Sequence, residues 1–222
     1  MIRSLDQMVE KVLSLNRNQR IAVAWAQDSN TIGAISRAVQ EGFAEAIMIG
    51  DSKAIMDVCR ANDIDTALFT IVPSDNETDA AEEAVRLALS GDADIIMKGL
   101  VGTDKFLKAV MDKEKGLMLP GATLAYVGAV EIPGYHKLLF LTDLAVIPFP
   151  DLGQKIAMAE YAIEMAHKFG IGKPKLALIG ASEKVSHHFP NTADYVEMCK
   201  MAKEGKFSDC ILDGPLDLFL AC

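Results

Sequence analysis

The residues best placed to do chemistry in this chain are Lys98, Gly99, Gly102 and Thr103, which directly follow the apolar run Asp94-Ile95-Ile96-Met97. A buried strand that ends in a lysine, two glycines and a threonine opening a helix delivers one cation and several backbone N–H groups to a single point. That combination suits an anionic ligand. Three other polar loops also close strand-like runs: Gln27 to Asn30, Gly180 to Lys184 with Ser182, and Asp213-Gly214-Pro215. The glycine spacing is neither that of a Walker loop nor that of the dinucleotide fingerprint. Each candidate has a plainer reading beside the chemical one. Thr103 caps a helix, Lys98 snorkels to the surface, Ser182 bonds within its own loop, and Asp213 starts a turn. His187-His188 are neighbours whose side chains point apart, with no third ligand evident, so no metal site is expected.

The elements that must position these residues are regular. Leu5, Met8, Val9, Val12 and Leu13 repeat at helical spacing after Ser4 and Gln7, which have the form of a capping box. Strand-like runs at Arg20–Trp25, Ala44–Ile49, Leu68–Val72 and Asp94–Met97 then alternate with helical patterns. The helix before Gly91 is capped by Asn76 or Thr78, and Thr103 to Val110 forms the helix after the lysine loop. Such alternation predicts an α/β fold with a mostly parallel sheet and helices on both faces. The rhythm changes after Met111. Thr123–Val130 and Lys137–Leu141, separated by Pro133-Gly134, predict a hairpin or two edge strands. Asp151 caps a long helix to Phe169, followed by strand Lys175–Ile179, helix Thr192–Glu204 and strand Cys210–Leu212. Pro148 and Pro150 mark a boundary, giving expected domains at 1–146 and 147–222.

Half of the 222 residues are hydrophobic, enough for a sizeable core, and the formal charge is −9. The negative field, with no local run of Lys and Arg, argues against nucleic acid or an anionic membrane as partner. Cys59, Cys199, Cys210 and Cys222 are scattered without CxxC spacing and read as reduced thiols. Asp6 and Glu10 interrupt the first apolar stretch, which argues against a signal peptide, and no run reaches membrane-spanning length. A cytoplasmic protein is expected.

The order and spacing of several segments resemble the phosphate butyryltransferases, within the phosphate acetyl/butyryltransferase family. They are Lys98 to Thr103 with Phe106 to Val110, Tyr135 to Asp143, Pro150 to Lys155, Gly172 to Lys175, Pro190 to Asp194, and Asp213 to Leu216. The resemblance implies a two-domain fold similar to isopropylmalate dehydrogenase, an active site in the cleft between domains, and a homodimer. It implies exchange of a short acyl group, butyryl or similar, between coenzyme A and inorganic phosphate, with both as substrates and no cofactor. Lys98, Gly99, Gly102 and Thr103 would line the phosphate side, with Lys108 where relatives often carry arginine. Ser182, Asp213 and Gly214 would face it from the second domain.

Three departures accompany the resemblance. Lys108 lacks the planar fork of donors that arginine offers phosphate. Ile147 stands where relatives usually have asparagine. Family members also continue past the Asp-Gly-Pro motif to the proposed general base, so the catalytic base is expected to lie in a segment that this sequence lacks. The same absence predicts uncovered apolar surface and self-association. An alternative of another class is a catalytically silent protein that binds coenzyme A and phosphate, derived from the family by truncation. A dehydrogenase on the same fold is disfavoured, because neither a nicotinamide site nor metal-binding acids are evident.

Overall fold

Alternation of side chains along the strands assigns the helices to two faces of one sheet. The computed structural model describes residues 1–207 and 209–221, the last two of these by backbone alone. They form two compact units, Val9–Ala122 and Met1–Met8 with Thr123–Cys222. This division differs from the sequence-drawn boundary at 146/147 by residues 1–8, whose Ile2 N–H donates to the Phe169 carbonyl at 2.8 Å, and by residues 123–146. The latter group with the later segment because the Tyr161 hydroxyl donates to the Thr123 carbonyl at 3.0 Å and Phe140 meets Phe169 edge-on.

The chain opens with helix α1 (Leu5–Leu13), in which the Ser4 hydroxyl accepts from the Gln7 N–H. The Gln7 side chain reaches back to the Arg3 N–H, one residue before the expected box partner. There follow β1 (Gln19–Ala24), α2 (Ser29–Gln40), β2 (Ala44–Gly50), α3 (Ser52–Ala61), a single 3-10 turn at Thr66–Leu68, and β3 (Phe69–Pro73). Then come α4 (Glu77–Ser90), β4 (Ile95–Lys98) and α5 (Thr103–Val110). The strands make one parallel sheet in the order β3-β2-β1-β4.

Val23, Ala46 and Met48 pack with Ile32 and Ile35 of α2 and with Ile55 and Cys59 of α3. On the other face Ala22, Ala24 and Ile49 meet Ala80, Ala81 and Ala84 of α4. Small side chains on both surfaces let α4 lie close to the sheet. Asp28, Asp51 and Asn76 cap α2, α3 and α4 by accepting backbone N–H bonds, and Gly91 ends α4 in the left-handed conformation. The chain runs outward through β1, β2 and β3, then returns to place β4 on the other side of β1. The strand order therefore reverses between β1 and β4, where open sheets of this type leave a crevice at the carboxyl ends.

In the other unit, β5 (Gly128–Val130) pairs antiparallel with β6 (Leu139–Leu141) around a turn at Gly134, as the Pro-Gly signal predicts. Helix α6 (Leu152–Lys168) starts at a complete capping box of Asp151 and Gln154. Strand β7 (Lys175–Ile179) pairs in parallel with β8 (Ile211–Leu216), and α7 (Asn191–Lys203) connects them. Ala159, Ile163, Leu178, Met198 and Phe207 form this unit's core. Leu218–Ala221 makes a short helix, α8. No described helix is long and apolar enough to cross a membrane.

Candidate functional site

The Lys98–Thr103 loop sits at the β1/β4 reversal, and its near end is sewn to β1. Beyond the Ala24–Lys98 pair, the Gly99 N–H donates to the Ala24 carbonyl at 2.9 Å and the Leu100 N–H to the Trp25 carbonyl at 3.0 Å. Gly99 is required for this approach, since a Cβ there would lie 2.7 Å from both of those carbonyl oxygens. The space a side chain at 99 would need is filled by the backbone at the end of β1 and by Trp25. Trp25 adopts φ +58°, and its carbonyl also accepts from the Gln27 N–H at 3.1 Å. The left-handed turn aims one oxygen at both donors. Between the anchors, Val101 is fully buried under α4.

The loop's far end is held by a residue that the sequence reading did not single out. Glu77, the first residue of α4, accepts from the Gly102 N–H at 2.8 Å through Oε2 and pairs with Lys105 of α5 through Oε1. Gly102 is the N-cap of α5 and supplies no side-chain cap, so Thr103 is the first helical residue rather than the expected cap. The partial positive charge of the helix start therefore already faces a carboxylate. The Lys105 hydrogen bond and then the Gly102 N–H hold the Glu77 carboxyl below its ordinary value; partial burial opposes them, and the charges of Lys105 and Lys98 add to the lowering. No local pattern points to this contact, because 25 residues separate Glu77 from Gly102. Only an acidic residue in the first turn of α4 hints at it.

Lys98 is exposed, and its ammonium donates to the Gly99 carbonyl at 3.4 Å, while Lys108 is exposed in the last turn of α5. Lys98, Gly99, Gly102, Thr103 and Lys108 thus share one loop and helix of one unit. The concavity at the carboxyl end of β3, roughly 430 Å³, is lined partly by Asp75, Asp79 and Glu83 and is electrostatically unsuited to an anion.

Ser182, Asp213 and Gly214 belong to the other unit. The Ser182 hydroxyl accepts from the Lys184 N–H at 3.1 Å and donates to the Lys184 carbonyl at 3.2 Å, which is the loop-bonding reading. Asp213-Gly214-Pro215 is not a loop after a strand, as the sequence reading had it. It lies within β8, with Ala177 paired to Asp213 and a register shift following. Gly214 fits because a Cβ there would stand 2.5 Å from the Leu178 Cβ, and its carbonyl accepts from the Cys199 thiol at 3.3 Å. The Asp213 carboxylate accepts from the Gly214 N–H at 2.9 Å. Among the described residues, no group of three or more His, Cys, Asp or Glu side chains is placed to hold a metal ion.

The mainly parallel α/β fold is shared with solved phosphotransacylases. Residues 75–222 match the family model described as phosphate acetyl/butaryl transferase, and the chain belongs to that family of transferases. It is 38% identical over 221 residues to the phosphate butyryltransferase of Clostridium acetobutylicum, covering 100% of this chain and 73% of the relative. It is 34% identical over 218 residues to that of Clostridium beijerinckii, covering 98% and 72%. Among solved structures, a branched-chain phosphotransacylase from Enterococcus faecalis matches with TM-score 0.74 and 28% identity over 91% of this chain and 70% of its own. These likenesses lend no support to the silent-binder alternative.

Proposed function

We propose that this chain exchanges a short acyl group, butyryl or a close relative, between coenzyme A and inorganic phosphate. The observation that carries the reading is the 38% identity along the whole chain to a phosphate butyryltransferase. In the forward direction a phosphate oxygen attacks the thioester carbonyl, a C–O bond forms, the C–S bond breaks, and coenzyme A leaves as the thiol. Such a reaction asks the protein to hold two substrates in register and to meet the developing oxyanion with fixed donors. Lys98 and Lys108 supply positive charge on the phosphate side, and Gly99, Gly102 and Thr103 shape the loop that presents it. Ser182, Asp213 and Gly214 are the substrate-binding candidates of the other unit. No residue is assigned the role of general base. The chain works without a cofactor, as a cytoplasmic homodimer.

The test is release of free thiol from butyryl-CoA and acetyl-CoA by the purified chain across a range of phosphate concentrations. Saturable dependence on phosphate, faster with butyryl-CoA and sharply reduced in Lys98→Ala, is the expected result. Absence of phosphate-dependent release from either thioester would refute the reading.

A further inference from the structure

We propose that Glu77 is the positioning residue of the phosphate-side loop, fixing the far end that carries Gly102, Thr103 and the start of α5; this rests on the acyl-transfer reading above. Three anchors define the loop. The near end is tied by the Gly99 N–H to the last residue of β1 and by the Leu100 N–H to Trp25, and the middle by the buried Val101 side chain. At the far end Gly102 offers no side chain to cap α5, and the Glu77 carboxylate provides the bond instead. Glu77 also grips Lys105 within the first turn of the helix, so a single carboxylate fixes both the position and the axial rotation of that turn. Because Lys105 neutralises it, Glu77 orders the loop without leaving a net charge beside a phosphate. The first two anchors are independent of Glu77, so its removal loosens the far end while the sheet stays folded.

The arrangement also determines where phosphate is not held. The Gly102 N–H is spent on Glu77. Anion recognition therefore falls on Lys98 and on donors that the Glu77 anchor keeps in place.

Two variants and two readouts test the proposal. Gln at position 77 keeps an oxygen that accepts the Gly102 N–H, whereas Ala keeps nothing. Glu77→Ala is expected to raise KM for phosphate by about tenfold, with Glu77→Gln within about threefold of the native chain and KM for butyryl-CoA little changed in both. Amide hydrogen exchange is expected to quicken from Gly102 to Phe106 in Glu77→Ala, and to stay native at Gly99 and Leu100. A fall in phosphate KM in both variants would overturn the proposal, since the carboxylate would then be opposing the substrate. A lowered melting temperature with unchanged KM would overturn it too, by making Glu77 merely structural. If the native chain shows no phosphate-dependent turnover, the acyl-transfer reading fails first. Exchange then decides separately, native protection of Gly102 to Phe106 in Glu77→Ala overturning the anchor itself.

Discussion

Replacing Gly99 by alanine isolates the contact that seats the lysine loop. The new methyl carbon would stand 2.7 Å from the Ala24 and Trp25 carbonyl oxygens, 0.7 Å short of the 3.4 Å at which ordinary contact begins. Both oxygens are backbone atoms, so no flexible side chain can swing away. They are also the acceptors of the Gly99 and Leu100 N–H groups, and relieving the clash stretches both bonds. Overpacking of this kind costs about 1–3 kcal/mol, and weakening two hydrogen bonds brings the sum to about 2–4 kcal/mol. For a chain of this length that is a fall in melting temperature of roughly 5–15 °C. Gly33 gives the matched control. It lies inside α2, where an added methyl would meet nothing within 4 Å, so Gly33→Ala should stabilise by about 0.5–1 kcal/mol through helix propensity. Thermal unfolding by circular dichroism reads both, and thiol release reads whether Gly99→Ala also displaces Lys98. A Gly99→Ala chain that melts with the native protein and turns over normally would refute the packing argument.

Three further outcomes follow from the geometry. Asp151→Ala removes the capping box of α6 and should cost about 1 kcal/mol, seen as a lower melting temperature in the unit that holds that helix. Gly214→Ala should destabilise the β7–β8 pair strongly, because the added methyl meets the Leu178 Cβ at 2.5 Å; native-like melting of that variant would contradict the close approach. In acid, Asp143 and Asp94 act together. Burial raises the Asp143 carboxyl, but the N–H groups of Val146, Tyr126, Ala145 and Ile147 outweigh it, and the Arg20 hydrogen bond holds Asp94 at about 2. Both folded values lie below the unfolded 3.8, so their stabilisation is complete above that pH and is lost as pH falls through it toward 2. Urea midpoints measured from pH 7 to pH 2.5 should fall in that window, with a shallower acid limb in Asp143→Asn.

Sequence periodicity marked the strands and helices because burial on one face leaves a local signature. Helix α5 runs from Thr103 to Val110 as its apolar spacing requires, and β4 ends at Lys98, one residue past the expected end. Asn76, rather than Thr78, caps α4. What was not legible depends on contacts across the chain. The glycine at 99 was visible, but not that the backbone closing on it is that of Ala24 and Trp25. Thr103 has the residue type of an N-cap, yet the preceding Gly102 takes that position and Glu77 supplies the missing acceptor from another helix. Asp213-Gly214-Pro215 carries turn chemistry, and pairing with β7 nevertheless draws it into a strand.

Acyl transfer to phosphate is read most directly by a 31P NMR time course on the purified chain with butyryl-CoA and inorganic phosphate. An acyl phosphate resonance is expected to grow as inorganic phosphate falls, in equal measure to the thiol released. Thiol release with inorganic phosphate unchanged would show transfer to water instead, and would contradict it.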